Sequence, residues 1–325
     1  MTKNGVLELL IVRLDAIGDY ILFRNVLSFI RRSEKFKNAR ITVLGNPAWR
    51  SLAEAYDGTF ADEWIWCDNR GKLFRRSWEN LLPGFIWRRR TARAQAGIRQ
   101  MIQDRKFDAV FSLQAFHDVQ LDDFVEGLAP EVVHGWRLPQ GRSPFVFCRN
   151  RAMAAAITGQ ACEVSLELPR NGVGESAKVL FFTGASHWTR RWPMDKWRKL
   201  ASLLPRGYSF EYSRVRPSLV DVLRDIESAA VVVSNDTMAA HAAAALGKKV
   251  VILTNGVSGK GGFWPYPEEI NPSVETIVPC TDGIPWFWRF LCALPMLGPR
   301  LKMYYCLSSI TPMAVAERIR SLCGV

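Results

Sequence analysis

The sequence lacks the features that mark secreted and membrane-spanning proteins. Its seven cysteines are odd in number and include no close pairs, so we expect no disulfide framework and a reducing cytosol. No window reaches about 18 uninterrupted apolar residues, which predicts no membrane-spanning helix. The N-terminus does not combine a basic region, an apolar stretch and a small-residue cleavage site. We therefore predict no signal peptide.

Motifs of several enzyme classes are also missing. No G-x-G-x-x-G follows the first strand, which argues against a nicotinamide enzyme. The glycine-rich run 256–262 lacks the four-residue spacer of a phosphate loop, and no Ser or Thr follows Lys260. No Asp-x-Asp pair lies in a suitable turn. Cys280, Cys292 and Cys306 are so widely spaced that core thiols are favoured over a metal site.

Composition is that of a folded protein with an anionic partner. The 325 residues, 48% hydrophobic and 23% charged, can form one large or two medium domains with their own cores. The formal net charge of +12 predicts binding to nucleic acid, to an acidic membrane surface or to a phosphorylated substrate.

Strands and helices alternate along both halves of the chain, which predicts an α/β fold with mostly parallel, doubly wound sheets. The alternation pauses from about residue 150 to 174, where Gly, Pro and small residues suggest a linker. We therefore predict two Rossmann-like domains, residues 1–172 and 173–325. Facing domains of this kind would place a ligand cleft between the carboxyl ends of their strands.

A buried strand, a tight turn and an alanine-rich helix are predicted over residues 231–242. The exposed first turn of such a helix has free N–H groups and the positive end of the helix dipole, so it attracts phosphates. Taken alone, this pattern is also common in ordinary α/β cores.

Four motifs in a fixed order carry a family resemblance. They are LIVRLDAIGD at Leu10–Asp19, FTGASHWTRRWP at Phe182–Pro193, SNDTMAAHAAAALG at Ser234–Gly247, and CLSSITP at Cys306–Pro312. Together with Phe107–Val110 and the strand end at Gly135-Trp136, they span nearly the whole chain. The sequence thus resembles glycosyltransferase family 9, the heptosyltransferases.

The resemblance implies a GT-B fold, no metal requirement and inverting transfer of a sugar from a nucleotide diphosphate donor. It implies an N-terminal acceptor domain and a C-terminal donor domain, with ADP-heptose as the typical donor and the inner core of lipopolysaccharide as the typical acceptor. Asp19 matches the family's catalytic base. The implied donor-binding residues are Gly184, Ala185, Ser186, Arg190, Arg191, Asp236, Thr237, Met238 and His241. The implied acceptor-binding residues are Arg13, Asp15, Arg70, Lys72, Arg75 and Arg76.

Each of these residues also has a structural interpretation. Asp19 could cap its helix, and Asp15, four positions earlier, is the rival base. Arg191 fits a surface residue better than Arg190 does, and Arg190 suits a fork that binds two phosphate oxygens. His241 fits a satisfied structural histidine as well as it fits a ligand contact.

A basic stretch, residues 70–93, has Trp and Phe interleaved with its Arg and Lys residues. This pairing suits the interface of an anionic bilayer, although a solvated helix face is the alternative. Single-stranded nucleic acid also binds such patterns, but no recognised nucleic-acid module accompanies this one. Residues 282–301 form a second interfacial candidate, for which buried packing between domains is equally plausible.

Two segments depart from the family pattern. Only residues 207–216 separate two predicted helices where the family has a strand, a glycine-rich loop, a helix and another strand, so the donor's ribose contact is in doubt. The segment from His117 to Glu126 is acidic where many relatives are basic, which favours a different acceptor.

We expect a cytosolic glycosyltransferase, peripheral at the inner face of the cytoplasmic membrane, that acts on a bacterial surface glycolipid or polysaccharide. The alternative is a non-catalytic relative that binds a partner glycosyltransferase or an anionic glycan.

Overall fold

The computed structural model describes residues 5–67, 92, 95–114, 119–255, 266–277 and 298–325. The chain forms two compact units. Unit 1 comprises Met1–Ser143 and Phe147–Val164, and unit 2 comprises Pro144–Val146 and Ser165–Val325. The domain limits predicted from the sequence, 1–172 and 173–325, stay a prediction.

Unit 1 is built on a five-stranded parallel sheet in the order β3-β2-β1-β4-β5. The strands are β1 (Glu8–Arg13), β2 (Arg40–Gly45), β3 (Glu63–Trp66), β4 (Ala109–Ser112) and β5 (Glu131–His134). The helices are α1 (Ile17–Ile21), α2 (Arg24–Arg32), α3 (Arg50–Tyr56), α4 (Val119–Val125) and α5 (Val146–Thr158), and short 3-10 turns occupy Pro47–Trp49 and Gly135–Arg137.

Unit 2 contains a second five-stranded parallel sheet, in the order β10-β9-β8-β6-β7. Its strands are β6 (Ser176–Phe182), β7 (Ser209–Tyr212), β8 (Ala229–Asn235), β9 (Lys249–Leu253) and β10 (Val274–Ile277). Its helices are α6 (Met194–Ala201), α7 (Leu219–Glu227), α8 (Met238–Ala245), α9 (Gly298–Ser309) and α10 (Pro312–Cys323), and a 3-10 turn occupies Trp188–Arg190. Two parallel α/β sheets confirm the predicted fold class.

The central strands are buried on both faces because helices cover each side of a parallel sheet. In β1 the side chains of residues 9–12 are fully inaccessible, and so are those of residues 231–233 in β8. Their continuous apolar runs are the feature that made these strands predictable from the sequence. The sequence Thr311-Pro312 also predicts the start of a helix, with Thr as the N-cap and Pro as the first helical residue. The structure confirms this start, since the Thr311 hydroxyl accepts the Ala314 amide at 3.2 Å and Pro312 begins α10.

Two predicted segments differ from the structure. Residues 20–30 carry apolar residues at helical spacing, which predicts one helix, but the structure divides this stretch into α1 and α2. The Leu22 carbonyl at the break accepts the Asn150 side-chain amide at 2.9 Å. The linker expected from about residue 150 begins later, because α5 continues to Thr158. That helix ends at Gly159, whose φ of 72° is strained for any residue with a side chain. Residues 161–175 have no regular structure.

Among the described helices, none combines the length and the apolar content needed to cross a membrane.

Candidate active site

The candidate residues of each unit follow strands, at the carboxyl edge of its sheet. In unit 1 the turn after β1 carries Asp15 and Asp19, and β1 is paired in parallel with β2 and β4. In unit 2 the loops after β6 and β8 carry the residues of the FTGASHWTRRWP and SNDT motifs, and these two strands are neighbours. Neighbouring parallel strands bring the loops that follow them to one edge. Each unit therefore gathers its own predicted residues.

Asp19 lies in the first turn of α1 and is half-buried. Its carboxylate accepts the backbone N–H of Ala16, the residue before the helix, at 3.2 Å. Ala16 has no side-chain acceptor, so only this reach-back half of a capping box is present. The predicted capping role of Asp19 is thus real in part, and a carboxylate at a helix start is also a suitable general base.

Arg13 and Asp15 form an ion pair, with 2.8 Å between Arg13 Nε and Asp15 Oδ2. The Arg13 guanidinium is buried and donates to the Leu113 carbonyl, and it lies 4.3 Å from the centre of the Phe23 ring. Gln114 Nε2 donates to Asp15 Oδ1 at 2.7 Å. One Asp15 oxygen accepts the Gln114 amide and the other is paired with the Arg13 guanidinium, so Asp15 is a weaker candidate for the base than Asp19 is.

A buried network supports α1, the helix that contains Asp19, and α2, the helix after it. Tyr20 donates its hydroxyl to Asp57 Oδ2 at 2.7 Å, and the Arg24 guanidinium binds the same carboxylate through Nε at 3.1 and 3.2 Å. Asp57 is fully inaccessible. Burial raises the pKa of Asp57, and Arg24 opposes that shift. Tyr20 also stacks on Trp49 at 3.9 Å. No sequence motif indicates this network, since Asp57 lies 37 residues from Tyr20 and 33 residues from Arg24.

The loop after β6 carries two exposed arginines, of which Arg191 is bonded within the loop and Arg190 is in no ion pair of the described residues. Arg191 donates from Nε to the Ala185 carbonyl at 3.0 Å, which closes the loop on itself. Arg190 is exposed, and its guanidinium has no ion-pair partner among the described residues. Gly184 and Ser186 are exposed as well. An exposed arginine fork on an internally bonded loop is suited to bind two phosphate oxygens.

Asn235, which belongs to the SNDT motif, fixes this loop. Its Nδ2 donates to the Thr183 carbonyl at 2.8 Å, and its Oδ1 accepts the Trp192 N–H at 3.1 Å. One buried amide at the end of β8 therefore holds both ends of the loop that carries Arg190. An asparagine directly before the Asp236-Thr237 pair was the only indication of this role in the sequence.

Helix α8 begins after Thr237, whose side chain makes no capping bond to it. Thr237 and Met238 are half-buried, and Asp236 is buried. The Ser234 hydroxyl lies 3.1 Å from the Thr237 hydroxyl. The first-turn amides of this eight-residue helix thus follow the strand end, where a phosphate would meet the positive end of the helix dipole.

His241, one turn into α8, is buried, and its Nδ1 lies 2.8 Å from the Tyr266 hydroxyl. Burial lowers the pKa of His241 to about 4, Asp236 opposes that shift, and the positive charge of Arg190 adds to it. The imidazole is therefore neutral at pH 7, and its bond to Tyr266 matches the structural interpretation of this histidine. The influence of Arg190 and Asp236 on its pKa indicates that all three side chains belong to one local electrostatic environment.

The segment of unit 2 that is short relative to the family pattern contains β7, the edge strand of the sheet. Only residues 213–218 connect β7 to α7. Glu211, the nearest acidic residue, lies within β7 and pairs with Lys178 at 3.1 Å and with Arg214 at 3.6 Å. Its carboxylate is thus already engaged by two cations, as expected from a side chain inside a strand rather than after a glycine pair.

The remaining acceptor candidates are only partly described. The described residues do not include Arg70, Lys72, Arg75 and Arg76. They also leave out most of the interfacial candidate 282–301 and, in the acidic segment, His117 and Asp118. In the described part of the acidic segment, Asp122 and Glu126 bind the two ring nitrogens of His134 at 2.8 and 3.0 Å. Much of that acidity therefore serves internal contacts.

Metal ligands are not grouped within the described ranges, where no set of three or more His, Cys, Asp or Glu side chains could hold an ion. The prediction that catalysis needs no metal stays a prediction.

Comparison with solved structures finds the same fold in bacterial heptosyltransferases. The chain superimposes on Escherichia coli heptosyltransferase WaaC with ADP-2-deoxy-2-fluoro heptose at a TM-score of 0.64 and 16% identity, covering 97% of this chain and 99% of that one. It matches a family 9 glycosyltransferase from Veillonella parvula DSM 2008 at 0.63 and 13% identity, covering 97% and 96%. It matches E. coli ADP-heptose lps heptosyltransferase II at 0.59 and 15% identity, covering 97% and 98%. No family model matches the sequence, and no curated protein matches it. The predicted GT-B fold is confirmed.

Proposed function

We propose, from the premise that the chain has the fold of the family 9 heptosyltransferases, that it is a glycosyltransferase using a nucleotide diphosphate sugar. The observation that carries this proposal is the loop of unit 2: Arg190 is exposed and without an ion-pair partner in the described part of the chain, on a loop held at both ends by Asn235. A fixed cation of this kind, beside the start of α8, suits the diphosphate of a donor.

In the proposed reaction, the Asp19 carboxylate accepts the proton of the acceptor hydroxyl while that oxygen attacks the anomeric carbon of the donor sugar. The bond between the anomeric carbon and the diphosphate oxygen breaks on the opposite face, so the configuration inverts. Its electron pair leaves with the diphosphate, whose growing negative charge is stabilised by Arg190 and by the N–H groups at the start of α8. Gly184, Ala185, Ser186, Arg191, Asp236, Met238 and His241 would line the donor side.

The donor is proposed to be ADP-heptose and the acceptor an anionic glycolipid or glycan of the bacterial surface. ADP-heptose is supported by the structural neighbours, which are named as an ADP-heptose lps heptosyltransferase and as WaaC with an ADP-heptose analogue. Arg13 and Asp15 would support the acceptor side by holding the turn of Asp19, and Arg70, Lys72, Arg75 and Arg76 would contact the acceptor. The basic and aromatic residues 70–93 also suit peripheral binding at the inner face of the cytoplasmic membrane.

A second candidate function is a non-catalytic relative that binds a partner glycosyltransferase or an anionic glycan. The observation that favours it is the short connection after β7, where Glu211 is paired with Lys178 and Arg214. A donor's ribose would have to find another partner.

Calorimetric titration of the purified chain with ADP and with ADP-heptose separates these two functions. The enzyme hypothesis expects binding of both, and release of ADP from ADP-heptose in the presence of glycolipid extract, with or without a chelator. Failure to bind any nucleotide sugar would favour the second function. If the chelator abolished turnover, the prediction of metal independence would be refuted and the glycosyltransferase proposal would stand.

A further inference from the structure

We infer that Gln114 is a positioning residue for the proposed reaction: it locks Asp15, and through Asp15 it fixes the turn that immediately precedes the helix of Asp19. This inference rests on the proposed function for its catalytic meaning. Its geometric part concerns the contacts of unit 1 and can be tested separately.

Gln114 and Arg13 hold the Asp15 carboxylate from two sides. Gln114 Nε2 donates to Oδ1 at 2.7 Å, and Arg13 Nε lies 2.8 Å from Oδ2. The side chain of Asp15 is only 16% exposed. A carboxylate held by a guanidinium and an amide keeps its orientation.

The backbone of the same turn is held as well. Asn46 Nδ2 donates to the carbonyls of Asp15 at 2.9 Å and of Leu14 at 3.3 Å. Asn46 follows β2 and Gln114 follows β4, the two strands on either side of β1. The turn after the central strand is therefore attached to both neighbouring strand ends.

Gln114 is itself fixed by close packing of its backbone. A Cβ atom placed on Gly135 would lie 2.7 Å from the Gln114 carbonyl oxygen and 2.9 Å from its nitrogen. Gly135, directly after β5, thus contacts the Gln114 backbone at a place where only a glycine fits. This contact fixes the backbone position from which the Gln114 side chain extends to Asp15.

The position of Asp19 depends on this turn, because α1 has only five residues and begins directly after it. The Arg13 guanidinium also approaches the Asp19 carbonyl at 3.5 Å. Displacing a reacting group by about 1 Å can cost about 100-fold in rate. Gln114 and Asp15 therefore act on the chemistry through geometry, without touching the substrates.

Exchanging the two side chains tests this arrangement. Gln114→Glu places two carboxylates in contact. The double variant Asp15→Asn/Gln114→Glu restores the hydrogen bond with donor and acceptor exchanged, because the amide of residue 15 now donates to the carboxylate of residue 114, and it keeps the original net charge. Gln114→Met removes the donor without adding charge, and exposed Gln103→Glu is the matched control. The measurements are kcat, the donor Kd, and the NMR shift and hydrogen exchange of the Ala16 amide, which binds the Asp19 carboxylate.

We expect Gln114→Glu to lower kcat by about 100-fold at an unchanged donor Kd, to shift the Ala16 amide resonance and to speed its exchange. Gln114→Met should change the same quantities more weakly. The double variant should return both kcat and the Ala16 amide most of the way to their wild-type values, as expected for coupled neighbours. The inference would be overturned if neither Gln114→Glu nor Gln114→Met changed the shift and exchange of the Ala16 amide. It would also be overturned if the double variant had as low a kcat as Gln114→Glu. A wild-type chain that transfers no sugar would instead refute the proposed function, and the Ala16 amide would still decide whether Gln114 positions the turn.

Discussion

Replacing Arg190 by alanine should weaken binding of a nucleoside diphosphate without weakening the fold. The guanidinium is exposed and has no ion-pair partner among the described residues, so the substitution breaks no ion pair of the described part of the chain. The loop itself is held by Asn235 and by the Arg191–Ala185 bond. Surface changes of this kind alter the free energy of unfolding by about 0.5 kcal/mol or less.

The expected loss of affinity follows from the bonds that the fork would make. A hydrogen bond to a charged group contributes about 1.5–3 kcal/mol, and a guanidinium fork makes two such bonds that share one side chain. We therefore expect a loss of about 2–3 kcal/mol, which raises the Kd for ADP by about 30- to 150-fold. Arg190→Lys should recover only part of this loss, because an ammonium keeps the charge but not the fork.

Isothermal titration with ADP at low and moderate salt measures this effect. Arg198→Ala is the matched control, since Arg198 is an exposed arginine of the following helix with no assigned role. The loss should be smaller for AMP than for ADP if Arg190 contacts the diphosphate. Equal ADP affinities for wild type and Arg190→Ala, with an intact thermal transition, would refute the assignment of Arg190.

Two further predictions concern stability. Asp57→Ala should lower the free energy of unfolding by about 3–5 kcal/mol in a denaturant titration, because Arg24 would remain buried without its partner, whereas a loss below about 1 kcal/mol would contradict the assigned network. His241 has its pKa lowered to about 4 by burial, so the unfolded chain binds a proton more readily than the folded chain does. The stability contributed by neutral His241 is complete above about pH 6.5 and is lost as the pH falls toward about 4. Between pH 7 and 4.5 the wild type should therefore lose about 2 kcal/mol more than His241→Asn. Parallel pH dependences of the two proteins would show that His241 does not titrate in this way.

Local patterns sufficed to predict the parts of the fold that depend on burial along one strand or helix. The apolar runs of β1 and β8 have no polar interruption because helices cover both faces of each sheet, so their positions could be read directly. The start of α10 at Thr311-Pro312 depends on capping chemistry, which is also local.

Contacts between distant residues account for what could not be predicted. The break between α1 and α2 is bonded by Asn150, 128 residues away from Leu22. The turn of Asp19 is held by Asn46 and Gln114, which come from the ends of two other strands. No periodicity or motif connects such residues, so the motif could identify Asp15 and Asp19 but could not indicate which carboxylate is held by internal partners.

The most direct test of the account measures turnover and donor affinity of Asp19→Asn together, with exposed Asp123→Asn as the control. If Asp19 is the base in unit 1 and the donor binds in unit 2, kcat falls by at least about 100-fold while the Kd for ADP-heptose stays at the wild-type value. Near-normal turnover of Asp19→Asn, in a protein that still binds the donor, would contradict the account.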